Sequence, residues 1–212
     1  MPDGCLDIVY SREMGLRAIG AMTVEQSLDL PAGTLTAGVR FHPGLAGVFL
    51  RAAPSELTDR SVRLEDLLGR KARELEACLA NGQTGVELAQ TLVASLCRVP
   101  DRPLNPVQRA IEAITAAHGD IDLDFVCRQA NLSPRQFRRR CLEESGLTPR
   151  HLCRILRFRQ ACRLAERLPR DWAAIALEAG YYDQAHLIRD FREFCGRTPV
   201  SVFSNTSPHF PA

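Results

Sequence analysis

FRRRCLEESGLTP, residues 137–149, lies over LIRDFREFCGRTP, residues 187–199, at a shift of 50 residues and without a gap. Phe137 falls on Leu187, Arg139 on Arg189, Cys141 on Phe191 and Glu143 on Glu193. Gly146 falls on Gly196, and Thr148-Pro149 falls on Thr198-Pro199. Carried upstream at the same shift, the overlay pairs Ser133 with Asp183, Leu132 with Tyr182 and Phe125 with Ile175. The shared residue types are those that helix ends demand. Ser and Asp accept hydrogen bonds from the free N–H groups of a first turn. Glycine ends a helix in the left-handed conformation, and Thr-Pro opens the next one as cap and first residue. One supersecondary unit is present twice.

Each copy reads as a short helix, a tight turn and a longer helix, which is the helix-turn-helix arrangement. In the first, DLDFVCRQA turns Leu123, Phe125, Val126 and Ala130 inward, and NLS leads into a helix over about 134–145. In the second, DWAAIALEAG turns Ala173, Ile175, Ala176 and Ala179 inward, and YYD leads into a helix over about 184–195. Between them a connector helix carries Leu152, Ile155, Leu156, Cys162 and Leu164 on one stripe. Roughly 19 helical residues at ~1.5 Å each span about 28 Å. Such a connector suits two recognition helices set about one turn of DNA apart, ~34 Å.

Phe137 and Cys141 are four apart and face the core, so Arg135, Arg138, Arg139 and Leu142 point outward, with Gln136 and Arg140 to the sides. Leu187 and Phe191 do the same in the second copy, leaving Gln184, Ala185, Ile188 and Arg189 outward. The planar fork of arginine matches the O6/N7 edge of guanine or a phosphate. Gln184 and Arg189 are the polar readers of the second helix, while Ala185 and Ile188 offer contact with a thymine methyl. Arg140, Arg150, Arg154 and Arg157 are phosphate candidates. Charge supports a polyanion here: nine arginines stand against two glutamates between Arg135 and Arg163, although the whole chain is only +2.

These motifs carry a resemblance. Residues 107–203, most specifically IALEAGYYDQAHLIRDFREFCGRTPVSV together with LSPRQFRR, resemble the double helix-turn-helix DNA-binding domain of AraC/XylS-type bacterial transcription regulators. The resemblance implies a sequence-specific regulator of double-stranded DNA, with Arg135, Arg138 and Arg139 at base-reading positions and RNA polymerase as a further partner. It implies an all-α C-terminal half with no cofactor.

Upstream, residues 1–98 read as a small α+β domain. CLDIVYS, LRAIGAM, SLDL and TAGVRF are β-prone runs broken by Gly, Pro and Asp. From Gly44 the pattern turns helical, with Leu64, Leu67, Leu68, Leu75, Cys78 and Leu79 on one stripe of a helix closed by Asn81-Gly82, and a further helix over 85–98. Three prolines in residues 99–106 mark a linker, and residues 204–212 read as a flexible tail. The leucine stripe is a candidate homodimer seam. PDGCLDIVY and GVRFHPG resemble an uncharacterised β-rich domain found ahead of AraC-type DNA-binding domains. That implies a small-molecule sensor or dimeriser whose sheet begins late in this chain.

Eight cysteines have no zinc-ligand spacing and no signal peptide before them. Several, such as Cys127 and Cys141, fall on apolar stripes, which fits reduced core thiols in the cytoplasm. No apolar run approaches the roughly 18 residues of a membrane span. The rival reading joins the DNA-binding half to an enzymatic N-terminal domain, as in repair proteins with a metal-held reactive cysteine. His42 beside Pro43-Gly44 has no partner at catalytic spacing, so the expectation is a non-enzyme without a metal.

Overall fold

A computed structural model describes residues 1–27, 30–50, 52–96, 103–167 and 171–204. Among them the chain is mainly helical, with one small sheet near the start. Strands β1 (Leu6–Ser11), β2 (Gly15–Ile19), β3 (Thr36–Phe41) and β4 (Ser61–Arg63) pair antiparallel in the order β3-β1-β2-β4. Alternation decides the buried face: Leu6, Ile8 and Tyr10 of β1 and Leu16 and Ala18 of β2 point to one side. Helices α1 (Leu64–Leu68), α2 (Arg70–Ala80) and α3 (Gly85–Leu96) supply Leu64, Ala72, Leu75, Leu79, Leu88, Leu92 and Leu96 to the same core.

Three expectations change here. The helix expected through residue 81 is broken at Gly69, whose backbone sits at φ 58°, ψ −129°. The break resets the helical phase, so Ala72 joins the buried stripe and Cys78 is exposed. The fourth strand is Ser61–Arg63, three residues too short to show an alternating pattern. The β-prone run 27–30 lies partly outside the described residues, and its described ends are not strand. Residues 97–102 and 205–212, which hold half of the expected linker and most of the tail, also lie outside them, and Asn105 and Pro106 of that linker cap and open the helix that follows.

A second core gathers α4 (Pro106–Ala116), α5 (Leu123–Gln129), α6 (Pro134–Ser145), α7 (Pro149–Arg167), α8 (Trp172–Glu178), α9 (Gln184–Cys195) and α10 (Pro199–Ser204). The connector α7 buries Leu152, Ile155, Leu156 and Cys162 as expected, and also Cys153, Phe158, Ala161 and Ala165; Leu164 is only partly covered. Phe158 stands edge-on to Phe191 and Phe194 of α9, at 4.8 and 5.3 Å between ring centres. Five cysteines of this half, 127, 141, 153, 162 and 195, are buried free thiols. Burial raises each of them, Cys141 to about 12 and Cys153 to about 11, so they serve as small apolar side chains.

The two units match helix by helix, but at two different shifts. The longer helices keep the shift of 50: Gly146 and Gly196 both end them at positive φ, 79° and 66°. The shorter helices are 49 apart. Asp122 and Asp171 cap them, and Leu132 N–H bonds Cys127 C=O as Tyr181 N–H bonds Ala176 C=O. One extra residue therefore sits in the second turn. Phe125 does not pair with Ile175, nor Leu132 with Tyr182; Val126 is the counterpart of Ile175, and Leu132 that of Tyr181. Phe125 is accordingly 47% exposed rather than inward, Ala173 is exposed, and Cys127 and Trp172 take the buried places.

Candidate nucleic-acid interface

The sequence around each longer helix holds it in place by its ends. Ser133 caps α6 in a reciprocal capping box, its Oγ accepting from the Gln136 N–H while the Gln136 side chain accepts from the Ser133 N–H. Asp183 caps α9 by accepting from the His186 N–H at 2.7 Å. Phe137 and Cys141, then Leu187, Asp190, Phe191, Phe194 and Cys195, face the core.

What remains outward on α6 is Arg135, Gln136, Arg138, Arg139 and Leu142, all exposed. Arg139 lies 3.8 Å from Glu143, and Arg140 lies half-buried, 3.5 Å from Glu144, which also accepts from Asn105. On α9, Gln184, Ala185 and Arg189 are exposed. Ile188 departs from the outward expectation. It is half-covered and packs on the core, because α9 buries a wider face than α6. The five outward polar candidates, Arg135, Arg138, Arg139, Gln184 and Arg189, thus share the outer faces of two helices held in one core.

The connector arginines divide. Arg150 is exposed near the start of α7. Arg154 turns toward α9 instead: its Nη2 is 2.7 Å from Asp190 Oδ1 and 2.5 Å from Glu193 Oε2, and its Nη1 is 2.9 Å from Glu193 Oε1. The guanidinium also lies 5.1 Å over the Phe194 ring. Asp190 is 1% exposed, so this cation neutralises a carboxylate that water barely reaches. The same pairing holds the Glu193 carboxyl below its usual range and raises the guanidinium. Arg157 lies half-buried over the Tyr181 ring at 5.6 Å. Burial and the Asp190 carboxylate together push the Tyr181 hydroxyl well above its usual range.

Sequence reasoning missed Asp190 and Glu193 as partners, and set Tyr182 against Leu132 instead of reading it as an inserted residue. Tyr182 is the inserted turn residue, 88% exposed immediately before the cap of α9. The spacing of the two capping aspartates, 49 rather than 50, was the signal for it.

Residues 126–205 match the family model described as a helix-turn-helix domain, on the two units whose caps, turns and exposed faces are set out above. These residues carry an AraC-type helix-turn-helix domain. Ahead of the AraC-type domain, residues 1–63 match a domain of unknown function, DUF6597. Among solved structures, the DNA-binding domain of AdpA in complex with a target DNA is 23% identical, over 47% of this chain and 90% of that one, with a TM-score of 0.44. ToxT from Vibrio cholerae is 10% identical over 94% of this chain and 86% of its own, with a TM-score of 0.46. No curated protein matches the chain in sequence. Among the described residues, no helix is long and apolar enough to cross a membrane.

Proposed function

We propose that the chain is a sequence-specific regulator of transcription that inserts α6 and α9 into successive major grooves of double-stranded DNA. One observation carries this reading: two capped helices, joined by a 19-residue connector, bury one face in a shared core and expose arginine and glutamine on the other. Arg135, Arg138 and Arg139 read bases, with guanine the preferred partner of a forked donor. Gln184 and Arg189 read in the second groove, Ala185 offers a methyl contact, and Ile188 contributes only its uncovered part. Arg140 and Arg150 meet phosphates. Arg154 and Arg157, by contrast, hold α9 and its turn in place, because carboxylates and a tyrosine ring already engage them.

Residues 1–98 form the sensor or dimerisation domain of this proposal, followed by the 99–106 linker. A small-molecule effector, a homodimer, RNA polymerase as partner and a cytoplasmic location complete it. A non-enzymatic role belongs to the same reading. The Cys5 thiol, the cysteine nearest the sheet, is pushed up to about 12 by burial and by Asp3, so the reactive thiolate is disfavoured at neutral pH. Among the described residues, no group of three His, Cys, Asp or Glu side chains could hold a metal.

Selection of bound duplexes from a random pool at stated salt tests the proposal. Enrichment of a motif with two blocks about 10 base pairs apart is expected. Recovery of unenriched DNA, or of none, overturns it.

A further inference from the structure

We propose that residues 20–25 and 54–60 act as a bracket, fixing the separation of the two recognition helices by gripping the C-terminal end of each. The inference rests on the DNA-reading role of α6 and α9. At α6, the Thr58 hydroxyl donates to the Gly146 carbonyl at 2.7 Å. A Cβ added at Gly146 would stand 2.8 Å from that hydroxyl oxygen and 3.0 Å from the Pro54 carbonyl oxygen, so the fit is tight. At α9, the Glu25 N–H donates to the Phe194 carbonyl at 2.6 Å, and Arg197 lies 3.1 Å from the Glu25 carboxylate.

The two gripping segments are themselves locked together by Asp59. Its carboxylate accepts from the Thr23 N–H and the Thr23 hydroxyl, both at 2.6 Å, and its own N–H donates to the Ala21 carbonyl at 3.1 Å. Gly20 passes so close to the Leu57 carbonyl that any side chain there would overlap it. Ala21, in the same loop, is buried within the core of the DNA-binding half. Asp59 holds a left-handed backbone, φ 58°, which asparagine and glycine tolerate and most residues do not. The bracket holds the helices at their C-terminal ends, which leaves their N-terminal halves for the grooves. Asp59, Thr58 and Glu25 are thus positioning residues for recognition, although none of them reaches DNA.

The test uses the full chain and synthetic duplexes built from the selected motif. One set carries both blocks at the selected spacing or one base pair away from it, and the other carries the α6 block alone. Asp59→Gly removes the carboxylate while keeping the backbone at ease, and Thr58→Val removes the grip on Gly146. For each, the expected result is about tenfold weaker binding to the two-block duplex, as loss of one charge-assisted or buried hydrogen bond brings. Binding to the single block should be unchanged, and the penalty for shifted spacing should shrink. Asp59→Asn, which retains the backbone and the acceptor, should restore wild-type behaviour. Equal loss on one-block and two-block DNA, or an unaltered spacing penalty, overturns the bracket. Failure of the unaltered protein on every duplex overturns the DNA reading beneath it.

Discussion

The two helix-turn-helix units share a plan and differ in what keeps each recognition helix in place. α6 carries its charge outward. Arg140 pairs along its own helix with Glu144, and Cys141, a small side chain, fills the core position below. At the matching positions α9 has Asp190 and Phe191. The first is buried and clamped from the connector by Arg154; the second packs among Phe158, Trp172 and Phe203. One unit therefore spends its arginines on the outside, and the other draws an arginine inward. The same scaffold can thus present a strongly cationic helix beside a nearly neutral one, because position 140 keeps its charge at the surface while its counterpart 190 is buried.

The largest effect that tests this contrast is in the core. Phe191→Ala should destabilise the protein by about 3–5 kcal/mol, whereas Cys141→Ala at the matching position should cost only about 1 kcal/mol. Denaturant unfolding of both variants checks it, and similar losses would erase the distinction. Next comes the clamp. Arg154→Ala leaves the Asp190 carboxylate buried and alone, at a cost of about 2–3 kcal/mol, below the loss for a fully buried pair because the Arg154 side chain is 29% exposed. Arg140→Ala should change stability by under about 1 kcal/mol. The measurement is again unfolding, and its signature is that order.

On DNA the ranking reverses. Arg138→Ala and Arg139→Ala should each weaken binding to the selected duplex by about 1–3 kcal/mol and relax preference locally, and Arg189→Ala by less. Competition with duplexes changed at single positions separates base reading from phosphate contact, which lowers affinity for all sequences and flattens the salt slope.

The smallest effect is the pH dependence. Burial, with Arg154 alongside, lowers the His151 imidazole below its usual 6.5, so the unfolded chain binds the proton more readily. Its contribution to stability is full above 6.5 and is lost as pH falls toward the lower folded value. Glu193 acts in the same direction at lower pH, because its carboxyl is depressed by Arg154. His151→Gln should flatten the fall in stability just below pH 6.5 and leave the later, carboxylate-driven fall. An unchanged profile would show that the imidazole does not take part.

Much of this was legible in residue order. Cap residues, αL glycines and the Thr-Pro starts are local, so Ser133, Asp183, Gly146 and Gly196 appear in their expected roles. Hydrophobic period set the inner faces of α6 and α7 for the same reason. The inserted Tyr182 was hidden because a gapless overlay is blind to a single extra turn residue, and Phe125 and Ala173 were turned the wrong way as a result. Arg154 looked like a surface cation because a pair with Asp190, 36 residues away, leaves no local trace. The break at Gly69 and the three-residue β4 were missed because short elements owe their form to neighbours rather than to pattern.

Guanine methylation interference on the selected duplex tests the two-helix reading most directly, since N7 lies in the major groove. Two interfering clusters about 10 base pairs apart on one face of the helix are expected, the stronger one lost in Arg139→Ala. A single cluster, or two on opposite faces, would contradict it.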